Sequence, residues 1–453
     1  MKPLSQPLFD VFALSLPRGH GFGNCPPKFA WASNDELACG VITQDVRHHR
    51  FGILVMRRRE DYVWTVICKQ DGFGEFEEAY TAMQSSMKEG APPEPIPANS
   101  VRRTQLWDVD SRKPCTLFKL LTQKTHRVAG WMLNQLYLAL PSPDKNWVSD
   151  FQTSNFHTRM WEVQLLACFR EQGMLVTQPQ RSPDFYIENL NGDEAWIEAV
   201  TANPTARYDH VNAEPIVPPK DLHERVLGAA AVRFAKTLRS KLQRNYHLLP
   251  HVVGKPFALA IADFHAPSSM VWSREALISY LYGIYSEAVD VNGRQVITGR
   301  KVSHLFGESQ FPSGLFRRDE STHVSAVIFT NACSIAKFNR VGISAGALVN
   351  DFRYIRVGQF FDRTPGALRG IPFSMDITSD QYRSLWPQNY EPWSAELEVF
   401  HNPIAQYPLS RSLLPEATHW FEVDDEIVCA SHYEVSILWS KTQVQPSSDN
   451  FDE

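Results

Sequence analysis

Apolar positions along the chain follow two rhythms, one of period two and one near 3.6. Near the N-terminus, 37–43, 51–56 and 62–69 are short runs rich in β-branched, aromatic and aliphatic residues. They are divided by the polar stretches Arg47-His48-His49-Arg50 and Arg57-Arg58-Arg59-Glu60-Asp61. That is the pattern of an antiparallel meander, and a helical stretch over 76–88 follows it. The basic stretches are expected as solvated turns, with phosphate contact as the alternative. Between 117 and 138, Leu117, Leu120, Leu121, Val128, Met132, Leu136 and Tyr137 recur at helical spacing, and Pro141-Ser142-Pro143 stops the run. Over 156–171, Phe156, Met160, Val163, Leu166, Ala167 and Phe169 make one helical face, closed by Gly173 just past its end. Strands are predicted at 174–177, 184–188 and 195–201. The last two are joined by Asn189-Leu190-Asn191-Gly192-Asp193, whose Asn-Gly step favours a hairpin. A long helix is predicted over 222–247, with Leu222, Val226, Ala230, Phe234, Leu238, Leu242 and Tyr246 every fourth residue. The near-continuous apolar runs 257–263 and 324–329 read as strands buried on both faces.

Strands alternating with helices predict an α/β (α+β) fold with a central mixed sheet covered on both sides. At 453 residues the chain exceeds one ordinary core. The proline-dense stretch 90–100 reads as a stiff linker and a boundary. The expected division is a small β-rich domain (1–89), linker and connecting helix (90–150), a central core (151–345) and an extension packed on it (346–453). Hydrophobic content of 43% and charged content of 21% suit a soluble globular protein. A net charge of -5 excludes whole-molecule attraction to nucleic acid and leaves local basic patches. Seven scattered cysteines without a CxxC pair argue against a disulfide framework or a zinc knuckle and fit a reducing cytoplasm. The apolar stretch 8–16 carries Asp10 and has only Lys2 before it, so no signal peptide is expected. No membrane span is expected either, and a homodimer is left open.

Three acids carry the candidate chemistry. Glu198 lies inside the apolar run Ala195-Trp196-Ile197-Glu198-Ala199-Val200, where an unpaired carboxylate is costly to bury and a bound cation would explain it. Asp184 follows Pro183 at the start of the hairpin, and Glu162 comes from the preceding helix. Singly, Pro183-Asp184 is an ordinary turn and Glu162 a solvated helix residue. Together at one end of a sheet, two or three hard oxygen ligands suit Mg²⁺ or Mn²⁺. Such ions activate water and stabilise charge developing on a phosphate during hydrolysis.

At these residues the sequence resembles the PD-(D/E)XK nuclease superfamily, over about 150–335. The resemblance implies a restriction-endonuclease-like core in which Glu162, Asp184 and Glu198 bind the metal. It implies a metal-dependent nuclease cutting DNA, or less readily RNA, typically in defence, restriction or repair. One departure stands out: the triplet is Glu198-Ala199-Val200, with valine where the family has lysine. Either the lysine's role has moved to Lys236 or Lys241 on the next helix, or the protein is catalytically silent and serves as a nucleic-acid-binding or assembly module. Lys236 and Lys241 belong to a basic stripe with Arg233 and Arg244, which are candidate substrate contacts, though the stripe also reads as a solvated face. Gln178 and Gln180 are candidates to bond the scissile phosphate, and Thr201 and Asn203 to orient ligands. Lys337 and Arg340 follow a buried-looking strand, at the sheet edge where open sheets bind ligands, and are candidate nucleic-acid contacts. His401 has no Ser or Cys partner at a known spacing, so no hydrolase triad is assigned.

Overall fold

The computed structural model describes residues 1–14, 25–108, 113–204, 214, 217–306, 311–364, 367–424 and 426–447. The N-terminal part is a five-stranded antiparallel meander, β1 (Lys2–Leu4), β2 (Pro27–Ala32), β3 (Ala38–Gln44), β4 (Phe51–Arg58) and β5 (Trp64–Phe73), paired in chain order. Helix α1 (Gln6–Leu14) follows β1, and α2 (Phe76–Met87) follows β5. Alternation sorts the sheet's side chains: Ile42, Ile53 and Val55 pack with Ala79, Met83 and Met87 of α2, while Val41, Leu54 and Met56 pack with Phe9 and Trp64.

The expectation of solvated basic turns fails at Arg57-Arg58-Arg59. Strand β4 continues through Arg58 and carries these side chains into the seam with the following segment. The buried Arg57 guanidinium donates to the carbonyls of Met87, Lys88, Ala91 and Pro92 and pairs with Glu94 at 3.2 Å. Arg58 lies over the Trp64 ring, and Arg59 pairs with Asp61. The proline-dense stretch is therefore fastened down by a buried cation, and these arginines are not available to phosphate.

The predicted helix over 117–138 is broken into α3 (Thr116–Leu121), a short 3₁₀ turn, and α4 (Arg127–Ala139). Then comes α5 (Trp147–Gln152), for which no helix was predicted, followed by α6 (Phe156–Glu171), β6 (Leu175–Thr177), β7 (Phe185–Glu188) and β8 (Glu194–Ala202), close to their predicted bounds. The long helix expected over 222–247 is α7 (Leu222–Leu227) and α8 (Ala229–Leu242), split at Gly228. The Glu224 side chain turns back to accept from Ala229 N–H and fills the space a β-carbon at Gly228 would need. Downstream lie β9 (Phe257–Asp263), α9 (Arg274–Tyr282), the hairpin β10 (Ile284–Val291) and β11 (Arg294–Lys301), β12 (Ala326–Thr330) and α10 (Ile335–Ser344). The chain ends with β13 (Phe352–Phe360), β14 (Ile371–Asp376), α11 (Asp380–Arg383), β15 (Leu397–His401), β16 (Thr418–Val423), β17 (Glu426–Ala430) and β18 (Ile437–Pro446).

The fold is mixed α+β. Its centre is an eight-stranded sheet in the order β17-β16-β15-β12-β9-β8-β7-β6. Strands β8, β9 and β12 run parallel to one another, and β6, β7 and β8 form an antiparallel meander. The segment after 345 contributes β15, β16 and β17 to this sheet and a separate three-stranded sheet, β14-β13-β18. Alternating residues of β8 and β9 face two cores. Ile197, Ala199, Ala258 and Ala260 pack with α4, α5, α6 and α10. Trp196, Val200, Leu259 and Ile261 pack with α7, α8 and α9. Among the described residues no helix is long and apolar enough to cross a membrane.

Candidate carboxylate site and its basic cleft

The β7–β8 hairpin closes through Asn189, whose N–H donates to the Asp193 carbonyl at 3.0 Å. Its register pairs Phe185 with Ile197, and one step further places Asp184 opposite Glu198. The Asp184 Oδ2 accepts the Ala199 N–H at 2.7 Å. Glu198 is only 4% exposed. By strand parity it faces α8, with Trp196 and Val200 on either side. There the Lys241 ammonium donates to its Oε1 at 2.7 Å, and the Tyr246 hydroxyl donates to the same oxygen at 2.6 Å. The other oxygen, Oε2, is buried with no donor. An acceptor left so is expensive.

The neighbouring acids show why the site is under electrostatic tension. Burial, then the charges of Glu198 and Glu162, push the Asp184 carboxyl well above the ordinary range. Burial also raises Glu162, against the pull of Arg159 and Trp147. Trp147 Nε1 donates to Glu162 Oε2 at 2.7 Å, and Arg159 pairs with Oε1 at 3.0 Å. Arg159 further holds Asp144 and Asp150. Glu162 is thus close enough to be felt at Asp184 yet committed to its own partners. Among the described residues no group of three His, Cys, Asp or Glu is arranged around one metal position. The two carboxylates with spare capacity are Asp184 and Glu198. An orphaned buried oxygen and a destabilised neighbouring acid fit a hard cation between them.

Beyond this pair a cleft of about 420 Å³ opens at the end of β8. Thr158 of α6, Thr201 of β8 and Asn203 just past it line one side; Arg233, Lys236 and Lys241 of α8 line the other. The Thr158 and Thr201 hydroxyls bond each other at 2.9 Å. Break points explain the cationic wall. Splitting the helix at Gly228 sets the phase of α8, so that Phe234, Leu238 and Leu242 go to the core and 233, 236, 237, 240 and 241 turn to the cleft.

The remaining candidates fall elsewhere. Gln178 accepts the Ser142 N–H at 2.9 Å, and Gln180 is exposed. Arg244 is exposed beside the Tyr246 hydroxyl. Lys337 and Arg340, expected at a nucleic-acid surface, are buried. They belong to a closed network with Arg356, Glu391 and Glu396. Ser334 caps α10 by accepting Lys337 N–H, and this start turns Lys337 and Arg340 inward onto Glu391. His401 bonds His419 at 2.8 Å and stacks on Phe421. Burial, then His419, pushes the His401 imidazole down to about 4.

Tyr246, Trp147 and Arg159 escaped the sequence reading. Tyr246 was legible only as the last apolar position of a helical stripe. It sits instead in a short 3₁₀ turn past the end of α8, and that turn delivers its hydroxyl to Glu198. Arg159 carried one signal, its position three residues before Glu162 on one helix. No protein-family model matches the chain, and no curated protein and no solved structure matches it either.

Proposed function

We propose that the protein is a metal-dependent phosphodiester hydrolase acting on DNA, of the PD-(D/E)XK type, with Asp184 and Glu198 as the metal ligands. The observation that carries this reading is the split state of Glu198. One oxygen is held by Lys241 and Tyr246, and the other is buried and unpartnered. The order of elements supports it as well: α6, the β6-β7-β8 meander, α7 and α8, then β9 parallel to β8. Val200 is core, and Lys241 brings an ammonium to the same carboxylate from α8. That is the migrated-lysine alternative, and it favours Lys241 over Lys236, which is exposed and stands over Phe311.

Each side chain then has a task. A bound Mg²⁺ or Mn²⁺ supplies a Lewis acid that offsets charge on the reacting phosphate. Asp184 and Glu198 would hold it. Lys241 and Tyr246 fix the Glu198 carboxylate, and the Lys241 ammonium would stabilise negative charge developing on a phosphate bound there. Arg159 and Trp147 bind Glu162 and hold it oriented nearby. A second reading is a nuclease-fold protein that binds nucleic acid without cutting it. The lack of a three-ligand group among the described residues favours that one.

The test is nicking of supercoiled plasmid by purified protein with Mg²⁺ or Mn²⁺. The proposal expects metal-dependent nicking, abolished by Asp184→Ala and by Glu198→Ala and cut at least tenfold by Lys241→Ala, with Lys236→Ala milder. Nucleic-acid binding without cutting by the wild type would support the second reading instead.

A further inference from the structure

We infer that the cleft beside the carboxylates is a separate phosphate subsite, built to hold one nucleotide unit of a single strand away from the bond being cut. The inference rests on the nuclease reading for its biological sense, but the binding it describes needs no metal.

Among the described residues, the cleft's lining includes three cations and no carboxylate. In a chain of net charge -5 that is a local reversal of sign, and it selects an anion. The three cations are not equivalent. Lys241 is bound to Glu198 and belongs to the carboxylate site. Arg233 lies eight residues earlier on α8, about 12 Å along the helix axis at 1.5 Å per residue. It makes no ion pair among the described residues, and its Nε is buried without an acceptor. Lys236, one turn on, is exposed, and its ammonium stands over the Phe311 ring. Two uncommitted cations on adjacent turns, facing hydroxyls at Thr158 and Thr201, form a two-sided grip for phosphate oxygens. Their distance from Lys241 makes the gripped phosphate a different one from the phosphate at Glu198.

Size sets the class of ligand. About 420 Å³ lies in the range of small-molecule pockets, which take one nucleotide unit and not the width of a duplex. Thr158, Thr201 and Asn203 line one wall and α8 the other. A chain end or an unpaired strand fits; an intact double helix does not.

The experiment uses the full chain in EDTA, with a nucleoside monophosphate as probe and sodium chloride at equal ionic strength as control. Melting temperature is followed as the nucleotide is added, because a ligand that binds only the folded state raises it in a saturable way. The wild type is expected to show a saturable rise. Arg233→Ala should weaken the nucleotide by about tenfold or more, as loss of a charge-assisted hydrogen bond does, and Arg233→Ala with Lys236→Ala should abolish the rise. A single-stranded oligonucleotide should compete with the nucleotide and a blunt duplex should not. No rise above the chloride control in the wild type, or an undiminished rise in the double variant, overturns the subsite. Competition by blunt duplex equal to that by single strand overturns the single-strand assignment. The two readings fail separately. Arg233-dependent binding without metal-dependent cutting would leave the subsite and remove the nuclease. Cutting with no Arg233-dependent binding would do the reverse.

Discussion

Two regions of the molecule bury carboxylates against helix-borne cations, and they do so with opposite results. Around Glu391, three cations meet two acids. Lys337 and Arg340 come from α10 and Arg356 from β13, and Tyr382 donates to Glu391 as well. Every oxygen of Glu391 and Glu396 has a donor. Burial alone would raise Glu391, but Arg340, Lys337 and Arg356 outweigh it and hold the carboxyl far below the usual range. Around Glu198 the count runs the other way. Glu198 and Asp184 have the ammonium of Lys241 between them, one oxygen of Glu198 is left without a donor among the described residues, and Asp184 is driven up. Saturation marks a joint that holds strands and helices together. Deficit leaves a buried acceptor unmet and a neighbouring acid destabilised. Burial by itself does not separate the two; the donor count does.

The largest effect should come from breaking the saturated joint. Glu391→Ala leaves three cations facing Glu396 alone, and loss of one partner from a buried pair costs about 3–5 kcal/mol. Equilibrium unfolding in urea should show that loss, with or without divalent metal. A change under 1 kcal/mol would mean the network relaxes easily and the contrast is false.

A smaller effect of opposite sign is expected at the deficient site. Asp184 has a folded-state pKa raised above its unfolded value. Its contribution to stability is therefore fully present below the unfolded value and is lost as pH rises toward the folded one. Asp184→Asn removes that loss, so in EDTA the variant should gain on the order of 1 kcal/mol over the wild type near neutral pH. Toward pH 4 the gain should fade. A loss of stability at neutral pH would show that Asp184 is satisfied by the protein itself.

The contrast between the regions also explains what the sequence could and could not disclose. Helix α6, strand β9 and the β7–β8 hairpin were legible because their signals are local: a 3.6-residue stripe, an unbroken apolar run, an Asn-Gly turn. Glu198 was legible because a carboxylate inside an apolar strand breaks its own local rule. Lys337, Arg340 and Arg57 were misread as surface groups because nothing within a few residues of them reveals their partners. Glu391 lies more than fifty positions from Lys337. The segment that Arg57 fastens lies thirty or more residues downstream of it. Gly228 falls inside the stretch predicted as one helix over 222–247. Only the folded-back Glu224 side chain shows it as the break that aims α8 at the cleft. Lys241 and Lys236 were equal in sequence and are separated only by which one reaches Glu198.

The most direct measurement of the central claim is the melting temperature of the full chain, in EDTA and then with increasing Mn²⁺ or Mg²⁺, for the wild type, Asp184→Asn and Glu198→Gln. The account predicts a saturable rise for the wild type that both substitutions remove, because the cation binds the folded carboxylate pair and not the unfolded chain. An unchanged melting temperature in the wild type, or the same rise in both variants, would contradict a cation held between Asp184 and Glu198.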